Sequence, residues 1–217
     1  MQTLVEQARA FRDRARAFRD RVREQRDEFR RLAAGQSPQA LFITCSDSRV
    51  IPALITQAKP GELFELRNAG HIVPPYHPAR ISGEAATIEY AVEVLGVRDV
   101  VVCGHSHCGA VGALARVENL DRLPAVRRWL AAAHPGRTRS GGVRSGGDQG
   151  VSPYAASDDP ALRDAVQRHV LAQLDKLRRY PQVARRHACG LLRLHGWFYE
   201  VDTGAVWEHR EGTWRPL

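Results

Sequence analysis

Lysine is almost missing from this chain: of its 32 lysine and arginine residues only Lys59 and Lys176 are lysine. The formal charge of +8 is therefore arginine charge, spread over the terminal segments and one loop and interleaved with Asp and Glu. A scattered pattern of this kind speaks against a nucleic-acid partner. Long apolar runs are also lacking. None approaches the roughly 18 residues of a membrane span, and the N-terminus has no basic-then-apolar leader pattern, so a cytoplasmic protein without a membrane partner is expected. Cysteine is scarce as well. Cys45, Cys103, Cys108 and Cys189 are too few and too irregular for a disulfide framework in 217 residues, which leaves metal binding or catalysis as the better use of them.

What is present divides into an arm and a domain. Within residues 1–34, Leu4, Ala8, Phe11, Ala15, Phe18, Val22, Phe29 and Leu32 recur at helical spacing in a setting of Arg, Asp and Glu, which predicts one amphipathic helix. The run from Arg9 to Arg14 recurs seven residues later from Arg16 to Arg21, so Phe11 and Phe18 share a face. Such a stripe serves a dimerising arm and a helix resting on a core equally well. Residues 35–217 read as a single α/β domain, with a mobile loop near 134–159 marked by Gly, Ser, Arg and Pro.

The domain alternates apolar strands with amphipathic helices. Ala40 to Cys45, Glu62 to Arg67 and Asp99 to Cys103 read as buried strands, the last broken by Gly104. Helices are predicted over 52–58, from Ser82 as N-cap to Gly96, over 110–117 and 123–133, and over 160–179 on Leu162, Val166, Val170, Leu171, Leu174 and Leu177. Leu191 to Val201 and Ala205 to His209 alternate about Asp202-Thr203-Gly204, a hairpin. The fold class is α/β: a mostly parallel central sheet flanked by helices, with an added C-terminal hairpin.

Ligands of such sheets sit beyond the carboxyl ends of the strands, at a topological switch point. Cys45 ends the first strand, and His105 and Cys108 follow the third, three residues apart, so one edge can collect all three. Two thiolates and an imidazole suit zinc, one ion per chain, and three protein ligands leave a fourth position open for an acidified water. Thiolates blunt that acidification, so neighbouring groups must help. Asp47 can accept from the water or become a conditional fourth ligand, and Arg49 can hold its carboxylate in a bidentate pair. Cys103 and Cys189 read as small buried hydrophobes, His107 as a polar contact in the turn, and His195 as a structural hydrogen-bonding group. Trp197, Phe198 and Tyr199 read as core and interface.

Cys45-Ser46-Asp47-Ser48-Arg49, Arg67-Asn68-Ala69-Gly70 and Cys103-Gly104-His105-Ser106-His107-Cys108-Gly109 together resemble the β-class carbonic anhydrases, over about residues 40–206. The resemblance implies a β-carbonic-anhydrase-like fold. It makes Cys45, His105 and Cys108 zinc ligands and Asp47 with Arg49 the dyad that frees or caps the metal. It further implies reversible hydration of carbon dioxide to bicarbonate in a homodimer or higher homo-oligomer, the N-terminal helix embracing a neighbouring subunit. Hydrolysis of carbonyl sulfide or carbon disulfide is the alternative chemistry for the same ligands, and a zinc-stabilised binding module is the non-enzymatic one. Two positions depart from the family. His71 stands where asparagine is frequent, and no catalytic role is assigned to it. Phe42 stands where members with an allosteric bicarbonate site carry tryptophan, although Arg67 matches the arginine of that site.

Overall fold

The computed structural model describes residues 4–116, 120–133 and 159–217, divided into two units, Met1–Ser37 and Pro38–Leu217. The predicted loop near 134–159 lies outside the described residues except for Asp159. In the first unit the single predicted helix is two, α1 (Leu4–Glu24) and α2 (Arg26–Ala33), because Gln25 leaves the helical region at φ −99°, ψ 33°. Phe18 meets Phe29 edge-on at 6.2 Å across this break, while Phe11 stays 69% exposed.

The second unit is built on a six-stranded sheet in the order β2-β1-β3-β4-β5-β6. Its strands are β1 (Ala40–Cys45), β2 (Leu63–Asn68), β3 (Asp99–His105), β4 (Arg193–Tyr199), β5 (Val206–Arg210) and β6 (Thr213–Pro216). The first four pair in parallel and the last three run antiparallel, so the predicted hairpin is extended by β6, which the sequence pattern did not reveal. The chain passes from β1 to β2 on one side and then crosses to β3 on the other. The switch point therefore falls between β1 and β3.

The intervening helices are α3 (Pro52–Thr56), α4 (Gly83–Glu89), which continues as a π-helical turn over Tyr90–Val94, α5 (Gly109–Arg116) and α6 (Pro124–Ala133). They are followed by α7 (Pro160–Leu177) and α8 (Pro181–Ala188), the latter unanticipated. Ser82 caps α4 by accepting from Ala85 N, and Asp159 caps α7 by accepting from Ala161 N and Leu162 N, which satisfies amide groups that have no partner within the helix.

Gly104 does not break β3, contrary to expectation; the strand runs on to His105. A Cβ at Gly104 would meet Val166 Cγ1 at 2.6 Å and Val170 Cγ2 at 2.7 Å, and one at Gly196 would meet Leu174 Cδ1 at 3.0 Å. The two glycines thus let α7 sit directly on β3 and β4. Val170 and Leu174 bury themselves there among Leu41, Ile43, Val100 and Val102, at roughly 1.5–3 kcal/mol for each fully buried side chain. This close seat carries the polar residues of α7 to the strand ends.

Candidate metal centre

Parallel pairing in register, with Thr44 opposite Cys103, brings the ends of β1 and β3 to one edge. One donor atom each from Cys45, His105 and Cys108 lies within 4.8 Å of the other two, and all three residues are buried. His105 presents Nε2 to this cluster: its Nδ1–H donates to Ser106 O at 2.7 Å, which fixes the tautomer. Nε2 itself is fully buried without a hydrogen-bond partner. A buried imidazole nitrogen with its lone pair aimed at two sulfurs is costly unless a cation accepts it, so this donor set fits a thiophilic metal.

The sulfurs differ. The Cys45 thiol is pulled below its ordinary range, chiefly by a hydrogen bond from Cys108, against burial and with further help from His105 and the Gly70 amide. Cys108 is pushed well up by that same bond, by burial and by the Cys45 charge. Cys103 stays in the strand beneath as expected: burial raises its thiol to about 12, which makes it inert. Cys189, expected to be buried, is exposed at the end of α8.

Asp47 rests on Arg49. Its Oδ1 accepts from Arg49 N at 3.0 Å and Nε at 2.9 Å, and its Oδ2 accepts from Nη2 at 2.7 Å. These bonds, the side-chain ones first, hold its carboxyl down at about 2. Its Oδ2 lies 3.9 Å from His105 Nε2, so the carboxylate borders the cluster without joining it. Arg67 secures the same loop by donating to the carbonyls of Cys45, Asp47 and Val50, the last at 2.8 Å. Phe42 is fully buried edge-on to Trp197.

The turn from His105 to Cys108 is stapled to the hairpin. Ser106 N donates to Tyr199 O at 2.9 Å, Val201 N donates to Ser106 Oγ at 2.9 Å, and His107 Nε2 meets Asp202 Oδ2 at 2.6 Å. His107 takes φ +57°, a conformation that non-glycine residues adopt only where contacts impose it, and its carbonyl accepts from Arg49 Nη2 at 3.3 Å. The His107 ring thus ties the ligand turn to the hairpin, and its backbone carbonyl ties the turn to the dyad.

Three residues at this edge escaped the sequence reading. His71, given no role, is fully buried at φ +44° with its ring edge-on to His169, centroids 4.7 Å apart. Burial, first of all, pushes its basicity well down, so the ring is neutral. His169 on α7 meets Gly70 O at 3.0 Å, and Trp129 on α6 donates Nε1–H to Ala69 O at 2.8 Å. A signal for His169 was available: with Leu162, Val166 and Gln173 it keeps the helical spacing of the buried stripe, as a polar residue in an apolar row.

A profile of the carbonic anhydrase family matches residues 40–206. Over 179 residues, 82% of this chain and 76% of its relative, the sequence is 50% identical to a carbonic anhydrase of Pseudomonas aeruginosa. Among solved structures the β-carbonic anhydrase CcaA matches with a TM-score of 0.82 and 35% identity, over 97% of this chain and 100% of that one. One of two tetrameric β-carbonic anhydrases from Sordaria macrospora matches at 0.68 and 28% identity, over 96% and 98% of the two chains.

Proposed function

We propose that this chain, which belongs to the β-class carbonic anhydrase family, catalyses the reversible hydration of carbon dioxide to bicarbonate and a proton with one zinc ion per chain. The observation that carries the proposal is the unpartnered His105 Nε2 facing Cys45 and Cys108, with the Asp47–Arg49 pair beside it. Cys45, His105 and Cys108 would hold the metal. When bound, zinc supplies Lewis acidity, lowering the pKa of a coordinated water to about 7.

The remaining work falls to the protein. Asp47, kept ionised by Arg49, is an acceptor at all working pH values and orients a nucleophilic water through its hydrogen. Arg49 engages both oxygens of that carboxylate and so would keep it from a bound metal, and the His107 carbonyl and Arg67 brace the two ends of the pair. Burial of all three ligands excludes bulk water from the sulfurs and strengthens every charge interaction at the site.

Stopped-flow hydration of carbon dioxide on protein of measured zinc content tests this. Activity well above buffer at one zinc per chain is expected between pH about 6.5 and about 9, the range in which zinc-bound water ionises; its absence there would overturn the proposal. A homodimer or higher homo-oligomer in the cytoplasm completes the proposal, with the N-terminal helices as the dimerising arm. The exposed Phe11 and Phe18 support that part. Replacing both by Glu should lower the mass measured by light scattering, and an unchanged mass would remove the arm from the assembly.

A further inference from the structure

Thiolate ligands hand charge to a metal and weaken its pull on water, so a site with two of them benefits from any group that takes charge off the sulfur. The Gly70 amide is such a group: its N–H donates to Cys45 Sγ at 3.4 Å. The peptide that carries this N–H also carries the Ala69 carbonyl, and that oxygen accepts from Trp129 Nε1 at 2.8 Å. A peptide that accepts at oxygen donates more strongly at nitrogen, because the two bonds polarise the same amide in the same sense. On the far side of Gly70, its own carbonyl is held by His169 Nε2 at 3.0 Å; a carbonyl only accepts, so Nε2 carries the proton. The rest of the turn is closed by Asn68, whose side chain accepts from Ile72 N at 2.7 Å and donates to Ile72 O at 2.9 Å.

Gly70 is required at the centre. It takes φ +83°, and a Cβ there would sit 3.2 Å from Ala110 Cβ. The two clamps come from distant helices, Trp129 from α6 and His169 from α7, where His71 packs edge-on against it and fills the space behind. Trp129 packs in an apolar seat beside Ile72, Ala113 and Leu130, and His169 is buried, 3% exposed, against the His71 ring.

We propose that Trp129 and His169 are positioning residues that hold Gly70 by the peptides on either side of it, Trp129 at the Ala69 carbonyl and His169 at the Gly70 carbonyl, with the Gly70 N–H on the Cys45 sulfur, and so set the donor strength of that ligand. The inference rests on the metal reading above. Neither residue touches substrate or metal; Trp129 acts on the amide that carries the Gly70 N–H, and His169 on the next one along the chain.

The test uses the full-length protein with cobalt in place of zinc, because a thiolate-to-cobalt charge-transfer band reports the charge on sulfur directly. Trp129→Phe removes the indole N–H and keeps an aromatic ring in the apolar seat. The band should move to longer wavelength at unchanged metal content, and the zinc protein should lose its metal to a chelator about 10-fold faster, the lower end of the effect of losing a group that braces a ligand. His169→Leu should shift both readouts the same way. His169→Gln, which keeps an N–H donor of similar reach, should restore them, and this pair decides the question if Trp129→Phe does not fold. Wild-type band position and release rate in Trp129→Phe, or in His169→Leu, would overturn the proposal while leaving the metal centre intact. A wild-type protein that takes up no cobalt would overturn both.

Discussion

Strand β3 carries a histidine-centred cluster at each end, and the two are built on opposite principles. At its start Asp99 faces His195, whose ring lies between Asp99 Oδ1 at 2.9 Å and Glu208 Oε1 at 2.8 Å. Asp99 is gripped in turn by Arg193 through both oxygens, and Glu208 by Arg210 and the Trp197 indole. Every polar group named there has its partner. At the far end His105 has one nitrogen bonded and the other buried and bare, between two sulfurs and 3.9 Å from a carboxylate that Arg49 has already taken. Saturation is what a structural network needs, since an unpaired buried polar group costs about 1–3 kcal/mol. An unmet lone pair held in place by its neighbours is what a metal centre needs. The same strand thus holds a brace at one end and a candidate metal centre at the other.

The contrast can be broken most severely at the ligands. Cys45→Ser and Cys108→Ser should each abolish stoichiometric zinc and reduce hydration by more than the roughly 100-fold assigned to losing a bracing group; metal analysis with stopped-flow measures both. Either variant keeping full metal and activity would remove that cysteine from the site. Arg49→Lys should follow at about 10–100-fold in kcat, because an ammonium cannot engage both oxygens of Asp47. Asp47→Asn should show a further effect of pH. The Asp47 carboxyl is depressed to about 2 from its ordinary 3.8, so its contribution to stability is present above pH about 4 and is lost as pH falls toward about 2. Denaturation midpoints of the wild-type protein should fall across that window more steeply than those of Asp47→Asn.

At the braced end the effects should be smaller and of another kind. His195→Leu is expected to cost about 1–3 kcal/mol in urea unfolding, with zinc content and kcat unchanged. A loss of activity at constant metal would show that the two ends of β3 communicate. Smallest of all, Cys103→Ala should cost on the order of 1 kcal/mol for the lost buried sulfur and leave metal and rate alone, since this cysteine lies between the two clusters and belongs to neither.

Much of the fold was legible because periodicity is a local property. Ala40 to Ile43 and Val100 to Cys103 are continuous apolar runs, and Leu162, Val166, Val170 and Leu174 keep the helical spacing that α7 uses. The errors have local causes too. Gly104 reads as a strand breaker because a sequence does not reveal that a helix packs where its side chain would be, and β6 goes unseen because four residues with a proline carry too little alternation. Gln25, an ordinary helix former, gave no sign of the break between α1 and α2.

The sequence by itself determined the donor types, the three-residue spacing of His105 and Cys108, and the Asp47–Arg49 pair two residues beyond Cys45. These are short-range relations, and the bidentate bond between Asp47 and Arg49 needs little more than its own turn. Only the tertiary structure decided that His105 presents Nε2, that the Asp47 carboxylate borders it at 3.9 Å, and that Trp129 and His169 reach the carbonyls beside the Cys45 ligand across 60 and 99 residues of chain. The reason is geometric. A buried donor's choice among carbonyls is set by how closely its helix packs on the sheet, and for His169 on α7 that close approach is allowed by two glycines of the sheet, Gly104 and Gly196.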